Sequence, residues 1–391
     1  MIYILSLVIV IILSAVYYFY KPTNKKNKNI FNAEYYRGLN YLLNNEEDKA
    51  FKIFTALMDV DSSTIETHLA LGGLYRKRGE FDKAILIHQN LLSRPTLEIE
   101  LKNQALYELA KDFYNAGLYD RSEKIFKNIS DVKNYKKSSL EYLIKIYEAS
   151  KDWERAIDLI KTIGDIKVNG HDKEILLAQY YCEISSLYIH QNQIEKSIAI
   201  TKKALKMNSK CVRANMQLAD CYSMNDAGTS CQYLNAIIDQ DNKFSSLITN
   251  KIITLAKKIN NMSVIMKSIV SISNLKDINF LPEVYLFLYY EDEKILAQQY
   301  IDKFEGNNLI NKFIITHTLV SSNDNMMTPH IKNLITSYNE IFSHKHFFVC
   351  NNCGYKSNEL NWLCPSCNSW ETIYPKSAID LLREGGASES R

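Results

Sequence analysis

Glycine and proline are scarce in this chain, and neither sign of charge predominates. Its 391 residues include 12 glycines and 6 prolines. So few chain breakers argue against β-sandwiches, barrels and glycine-rich nucleotide loops, and they favour a mostly helical fold. Lys and Arg number 47 against 44 Asp and Glu, which gives a net charge of +3. Because nucleic-acid binders normally have a strong basic excess, we expect no nucleic-acid partner.

Motifs of the common enzyme classes are also absent from the sequence. There is no Walker loop, GxGxxG, GxSxG or HExxH motif. Consecutive acids at Glu46, Glu47 and Asp48 lie where a hairpin turn is expected, and we interpret them as solvated helix caps. We therefore expect no catalysis, and we assign no catalytic or cofactor-binding residue.

The first twenty residues are an apolar run without a charged side chain. A helix of this length spans roughly 30 Å, the thickness of the hydrocarbon core of a bilayer. The alternative is a cleaved signal peptide, but no Lys or Arg precedes the run, and it is longer than a usual signal core. Four lysines follow between residues 21 and 28. The positive-inside rule then predicts a single span with the rest of the chain in the cytoplasm.

The middle of the chain repeats with a period close to 34. Gly38 and Gly72 are 34 residues apart, and so are the aromatic pair Tyr41 and Tyr75. This is the tetratricopeptide period. The aromatic position continues at Phe113, Tyr147, Tyr188 and Tyr222. Small residues recur at Gly38, Gly72, Ala110 and Ala219 in the first helices and at Ala50, Ala84 and Ala156 in the second.

These repeats predict an all-α tetratricopeptide-repeat solenoid. We expect the small residues to let the two helices of each hairpin approach closely, and the aromatic side chains to be core. The pattern gives about six clear repeats and weakens after Asn235. Pro282 to Phe304 still reads as a helix pair, with further helices at 308–320 and 330–342. Stacked repeats of this kind bind peptides or protein surfaces on their concave side.

Four of the eight cysteines form two CxxC pairs near the C-terminus: Cys350 with Cys353, and Cys364 with Cys367. Two such pairs can deliver four thiolates to one tetrahedral ion, with zinc as the first choice and iron as the alternative. A closed four-Cys site has no open position for a substrate, so we expect a structural role.

Several residues outside the two CxxC pairs receive other predictions. The single cysteines are expected to be buried thiols: Cys182, Cys211, Cys221 and Cys231. His344 and His346 are placed on the linker to the module. Trp362 and Trp370 bracket the second CxxC pair, and we expect them to pack its small core or, alternatively, to form an exposed docking patch.

The order of anchor, repeats and four-Cys module resembles the lipopolysaccharide assembly protein B family of Gram-negative bacteria. The resemblance covers essentially the full length. Its most specific stretches are DKAFKIFTALMDVDSSTIETHLALGGLYRKRGEFDKAILIHQNLL, AGLYDRSEKIF and CNNCGYKSNELNWLCPSCNSW. The segments are then a transmembrane helix (1–20), a basic linker (21–30), the repeat solenoid (31–342), a rubredoxin-like metal-binding domain (343–376) and a C-terminal helix or flexible tail (377–391).

This resemblance implies a function that the residues alone do not show. It implies that the four clustered cysteines hold the metal, and that the protein is an adaptor on the cytoplasmic face of the inner membrane that regulates lipopolysaccharide synthesis. The implied partners are a membrane AAA+ protease, the lipid A-pathway deacetylase that this protease degrades, and an inner-membrane protein that senses lipopolysaccharide. The oligomeric state is left open, a homodimer included.

Two other functions stay open at this point. The first is electron transfer at an iron-loaded rubredoxin-like site. The second is a general chaperone-docking module, in which the basic cluster Arg76, Lys77 and Arg78 would clamp the C-terminal carboxylate of another protein.

Overall fold

The structure is a computed structural model. It describes residues 33–60 with gaps at 39, 42–43 and 45, and then 65–93, 97–163, 167, 170–258, 262–274, 280–304, 315–316, 318–320 and 348–376. Within these residues, no helix combines the length and apolar character needed to cross a membrane. The predicted transmembrane helix, basic linker, C-terminal tail and helix at 330–342 all lie outside the described residues, as do His344 and His346.

The described part of the chain is mostly helical, as predicted. It contains these α-helices: α1 Glu47–Val60, α2 Ile65–Lys77, α3 Phe81–Leu92, α4 Ile99–Asn115, α5 Tyr119–Ile129, α6 Lys136–Ala149, α7 Trp153–Thr162, α8 Lys173–His190, α9 Ile194–Met207, α10 Val212–Tyr222, α11 Ala227–Gln240, α12 Ser245–Lys258, α13 Met262–Asn274, α14 Pro282–Tyr290 and α15 Lys294–Asp302. A short 3₁₀ helix, Asn242–Phe244, follows α11. Three strands lie near the C-terminus: β1 Phe348–Cys350, β2 Lys356–Ser357 and β3 Ile373–Pro375.

The chain divides into two compact units between Asp152 and Trp153. The first unit contains the hairpins α2/α3 and α4/α5. The second contains α8/α9, α10/α11, α12/α13 and α14/α15, together with the three strands. The pair α14/α15 confirms the helix pair expected at Pro282 to Phe304, where the repeat pattern is weak.

Five of the turns that end first helices share one backbone design. Each contains a residue with positive φ: Gly79 (77°), Gly117 (75°), Lys151 (57°), Asn192 (62°) and Asp292 (61°). The N–H of the next residue donates to the carbonyl five positions back, which is the Schellman motif. In the first four turns that carbonyl belongs to the repeat aromatic: Tyr75, Phe113, Tyr147 or Tyr188. The aromatic position therefore lies a fixed distance from the end of its helix.

In four repeats a basic side chain eight residues after the repeat aromatic covers its ring. The pairs are Lys49 over Tyr41 (5.4 Å), Lys83 over Tyr75 (5.3 Å), Arg121 over Phe113 (5.7 Å) and Lys196 over Tyr188 (5.8 Å). Such cation–π contacts are stabilising at partly exposed sites. The tyrosines of these pairs are only half-buried. The expectation that every repeat aromatic is core is therefore wrong for them, because a cation on the second helix covers one face.

Small residues allow close helix contact within the hairpins, as expected. A Cβ added to Gly38 would lie 2.9 Å from the ring of Phe54, and one added to Gly72 would lie 2.5 Å from the ring of His88. The small residue of the second helix is fully buried at Ala50, Ala84 and Ala156.

A buried charged network connects α2, α3 and α4 within the first unit. Asp112 accepts a hydrogen bond from the Arg76 guanidinium at 2.6 Å, and its second oxygen lies 2.5 Å from His88 Nδ1. Arg76 also donates to Glu108 at 2.5 Å. Burial raises the pKa of Glu108, but Arg76 and Lys111 outweigh burial and hold that pKa below its ordinary value. Because Arg76 is engaged by two carboxylates of its own chain, it is not available to a carboxylate clamp.

Candidate metal centre

The two CxxC pairs are presented by two turns of the same design. Cys350 ends β1, the central strand of an antiparallel sheet of order β2-β1-β3. The N–H of Gly354 donates to the Cys350 carbonyl at 2.9 Å, and the N–H of Asn368 donates to the Cys364 carbonyl at 2.9 Å. Gly354 and Asn368 both have positive φ, at 76° and 52°. Each turn brings the two sulfurs of its pair to the same side.

The four thiol sulfurs meet in one cluster. The Sγ atoms of Cys350, Cys353, Cys364 and Cys367 all lie within 4.8 Å of one another. Cys350 Sγ is 3.8 Å from Cys367 Sγ, and Cys353 Sγ is 3.7 Å from Cys364 Sγ. In a tetrahedral zinc–thiolate site with bonds of about 2.3 Å, neighbouring sulfurs are about 3.8 Å apart. The donor set therefore fits one tetrahedral ion, although the ligand role of the four cysteines stays a prediction.

Hydrogen bonds favour the thiolate form of some of these sulfurs and burial opposes it in others. Side-chain hydrogen bonds from Asn352 and Ser369 lower the pKa of Cys367 to about 6. Burial raises the pKa of Cys350, but the Thr372 hydroxyl and backbone amides outweigh burial and lower it. Burial, helped by the neighbouring sulfurs of Cys367 and Cys353, raises the pKa of Cys364 to about 12 even though backbone amides oppose the shift. Four thiolates this close require a cation, and soft sulfur ligands select zinc or iron.

The four-Cys module is docked on the repeats of the second unit through Trp370. Its indole is only 2% exposed. The ring centroids of Trp370 and Tyr180 are 5.9 Å apart, and those of Trp370 and Trp153 are 6.3 Å apart, in edge-to-face arrangements. The alternative of an exposed tryptophan patch is therefore wrong for Trp370, because α7 and α8 cover it.

A polar contact lies beside Trp370. Glu371 accepts a hydrogen bond from Gln179 Nε2 on α8 at 2.6 Å. Burial raises the pKa of Glu371, although the hydrogen bond from Gln179 and the charge of Arg213 oppose this shift. Arg213 is buried and pairs with Glu183 on α8 at 2.8 Å. Gln179 and Arg213 are 34 residues apart, which is the repeat period, but no spacing connects either of them to Glu371, so sequence reasoning missed this contact.

A second aromatic contact involves the 3₁₀ helix. The ring of Trp362 is stacked on Phe244 at 6.2 Å between centroids, and that of Tyr374 lies 5.7 Å from Phe244. Lys243 Nζ lies over the Tyr374 ring at 4.3 Å. Trp362 is half-buried by this packing. Both tryptophans of the module thus contact the repeats, where the sequence predicted packing within its own small core.

The single cysteines are outside the metal cluster, as predicted. Cys182, Cys211 and Cys231 are buried. Cys221 is only half-buried, and its sulfur lies 3.4 Å from Ser197 Oγ. The burial prediction is confirmed for three of the four thiols.

Comparison with known families agrees with this division of the chain. Residues 348–375 match a family described as a rubredoxin metal binding domain, and residues 67–99 match the tetratricopeptide repeat. The chain is 26% identical over 368 residues to lipopolysaccharide assembly protein B of Escherichia coli K12, covering 92% of this chain and 93% of that protein. It is 28% identical over 365 residues to the protein of that name from Haemophilus influenzae Rd, covering 89% and 91%.

One similar solved structure is the C-terminal part of a TPR repeat-containing protein from Cytophaga hutchinsonii. The match is 10% identical in sequence, covers 71% of this chain and 97% of the solved chain, and has a TM-score of 0.38. The resemblance inferred from the sequence is confirmed by the full-length relatives and by the two family matches. The predicted fold class, tetratricopeptide repeats with a rubredoxin-like four-Cys module, is confirmed as well. The matches to repeats, a metal-binding module and assembly proteins agree with a non-enzymatic scaffold.

Proposed function

We propose that this protein is a membrane-attached, non-enzymatic adaptor in lipopolysaccharide assembly. The observation that carries the proposal is the similarity to lipopolysaccharide assembly protein B over 92% of this chain and 93% of the relative. A match of this extent includes the repeats, the metal-binding module and the order in which they occur. The apolar run at residues 1–20 followed by lysines supports attachment to the inner membrane with the body in the cytoplasm.

The proposed metal site is structural, with Cys350, Cys353, Cys364 and Cys367 as its four ligands. Zinc is the proposed ion, and it would neutralise thiolate charge and crosslink the two CxxC turns. Docking through Trp370 supports this role, because the module is packed as part of the repeat unit. Metal analysis of the purified full chain tests it. A colourless protein with about one zinc per chain is expected, whereas visible absorbance with a reversible redox couple would favour iron and electron transfer.

The proposed partners are a membrane AAA+ protease, the lipid A-pathway deacetylase and an inner-membrane protein that senses lipopolysaccharide. An adaptor attached to the membrane encounters other membrane proteins at a higher effective concentration than a free one. The tetratricopeptide repeats supply the protein-binding surface.

Deleting residues 1–20 tests this adaptor role. Cells with the truncated chain should degrade the deacetylase more slowly than cells with the full chain at equal abundance. The matched control replaces the apolar run with an unrelated single span, which should restore degradation. Equal deacetylase half-lives with and without the span would contradict the proposal. Crosslinking from membranes should recover the protease and the deacetylase together with the full chain.

A further inference from the structure

Helix α9 differs in charge from the other second helices of the repeats. It contains four lysines and one glutamate, a net charge of +3. The corresponding helices α3, α5, α7, α11, α13 and α15 have net charges between −1 and +1. Lys210, just beyond the end of α9, adds a fifth cation. We call these five lysines the α9 lysine face: Lys196, Lys202, Lys203, Lys206 and Lys210.

The α9 lysine face is exposed and lacks ion-pair partners within the described residues. All five lysines are exposed, and in the part of the chain that the structure describes no carboxylate lies within ion-pair distance of any of them. Lys196 and Lys203 are seven residues apart and Lys202 and Lys206 four, so the four lysines within α9 lie along one exposed stripe of the helix surface, and Lys210 follows in the turn after it. Met207 lies beside this stripe and is 38% exposed. The opposite side of α9 packs on α8 and α10 through residues such as Thr201 and Ala204, which are fully buried.

The composition of this face favours a lipid surface over a specific protein partner. Protein interfaces are depleted in lysine and enriched in tyrosine, tryptophan and arginine. Helix α9 itself contains none of these three, although Lys196 and Lys202 lie over the rings of Tyr188 and Tyr222 on α8 and α10. The lysine ammonium is a compact, hydrated point charge on a flexible side chain. It therefore suits a diffuse layer of lipid phosphates better than the planar guanidinium of arginine does. A nucleic-acid partner is disfavoured by the net charge of +3 for the whole chain.

We propose that the α9 lysine face binds the anionic phospholipid headgroups of the membrane to which the chain is attached. This inference rests on the membrane attachment proposed above and adds an orientation to it. Attachment keeps the body within reach of the bilayer, so that weak contacts by single lysines act together. Contact by α9 would hold the second unit against the headgroups, with Met207 at the level of the interface.

Lysine footprinting of the full chain in nanodiscs tests this orientation. The protein is acetylated with a water-soluble reagent in discs of phosphatidylcholine alone and in discs that also contain phosphatidylglycerol, and each lysine is quantified by mass spectrometry. We expect Lys203 and Lys206 to be protected only in the anionic discs. Protection should disappear at about 0.5 M salt, where the Debye length is only about 4 Å. Lys124 on α5 is the internal control and should react equally in both.

Charge reversal distinguishes a lipid contact from a general effect of charge. The double variant Lys203→Glu with Lys206→Glu should lose the protection of the remaining α9 lysines. Binding of the face should weaken at least about 30-fold, because each lysine near an anionic surface contributes about fivefold. The variant Lys124→Glu with Lys127→Glu changes the net charge equally on α5 and should retain the protection.

The outcomes separate this inference from the proposed function. Equal acetylation of α9 in both kinds of disc overturns the lipid contact. If the α9 lysines are protected to the same extent in discs of phosphatidylcholine alone, protein and not lipid covers the face. That result also overturns the proposal. Flotation with zwitterionic vesicles tests the anchor by itself, because these vesicles offer no net charge to the α9 lysine face. A chain that does not float with them lacks the proposed attachment. In that case, flotation with anionic vesicles still measures the α9 contact.

Discussion

Replacing Trp370 with alanine should weaken the packing of the four-Cys module on the repeats. The indole is 2% exposed and lies against Trp153 and Tyr180. A buried tryptophan removes about 150–250 Å² from water, which at about 25 cal/mol per Å² corresponds to about 4–6 kcal/mol. Measured losses for such truncations are about 3–5 kcal/mol. We therefore expect the free energy of unfolding of the second unit to fall by about 3–5 kcal/mol.

Intrinsic fluorescence can measure this loss selectively, because all three tryptophans of the chain lie at the contact between the module and the repeats: Trp153, Trp362 and Trp370. Urea titration of the full chain in detergent, followed by tryptophan emission, reports the unfolding of this region. Trp362→Ala is the matched control. Its ring is half-buried on Phe244, so the expected loss is smaller, about 1–3 kcal/mol.

Two results would refute this reasoning. A loss of less than about 1 kcal/mol for Trp370→Ala would mean that the indole adds little to the docked state. Equal losses for the two variants would mean that burial against α7 and α8 is not the cause. Trp370→Phe keeps an aromatic ring in the same place and should recover a large part of the stability. It therefore provides a measurable variant even if Trp370→Ala does not fold.

Four further predictions concern glycine packing, charge, the buried network and the metal. Gly72→Ala should destabilise the first unit by about 1–3 kcal/mol in thermal unfolding followed by circular dichroism, because the new Cβ meets the ring of His88 at 2.5 Å. Its matched control, Gly73→Ala, has no new contact closer than 3.7 Å and should stabilise by about 0.5–1 kcal/mol; similar effects of the two would contradict the packing argument. Glu108 has a lowered pKa, so its contribution is present above the unfolded pKa of about 4.3 and is lost as pH falls through the lower folded value. Glu108→Gln should therefore destabilise at pH 7 more than at about pH 3 in urea titrations, and a cost independent of pH would argue against the ion pair. Asp112→Asn removes one of the two carboxylates that pair with Arg76, while Glu108 remains, and should cost about 1.5–3 kcal/mol, with a near-neutral result refuting the network. Chelation of the bound ion should shift the tryptophan emission to longer wavelength, and zinc should restore it; unchanged emission would show that docking does not need the metal.

The helical hairpins could be predicted because their signals are local in the sequence. The repeat aromatic is followed at a fixed distance by the turn, and its own carbonyl accepts the hydrogen bond that ends the helix, as at Tyr75 and Phe113. The turns at Gly79 and Gly117 were predictable from glycine. Asn192 adopts the same conformation without glycine, so the corresponding turn could be found only from the period.

Contacts between distant segments could not be predicted in the same way. The cation over four of the repeat aromatic rings does have a sequence signal, the spacing of eight residues, which is recognisable once the hairpin geometry is known. The network around Arg76 has no such signal, since Glu108 and Asp112 lie 32 and 36 residues away. A basic cluster that looks solvated in the sequence therefore contains one arginine whose side chain is only 13% exposed and is paired with two carboxylates.

The position of the module on the repeats depends on contacts between residues that are even farther apart in the sequence. Gln179 and Glu371 are 192 residues apart and meet at 2.6 Å. Spacing alone could predict that the four cysteines lie together, because each CxxC pair is formed within one turn. It could not predict what the rest of the module contacts, and the tryptophans were therefore assigned to a small internal core.

Two of the proposed metal ligands and the docking tryptophan lie in the same short stretch of backbone. Cys364, Cys367 and Trp370 all lie in one turn, which is closed by the hydrogen bond from the N–H of Glu371 to the carbonyl of Trp362 at 2.9 Å. The module's own buried cluster contains only Cys350, Cys364 and Ile373, too few apolar side chains to stabilise it alone. We therefore expect its folding to depend on the proposed ion and on the repeats together. Because both would act on one turn, we predict that each strengthens the other, a coupling that thermodynamic linkage makes reciprocal, and that loss of the ion loosens Trp370 from α7 and α8.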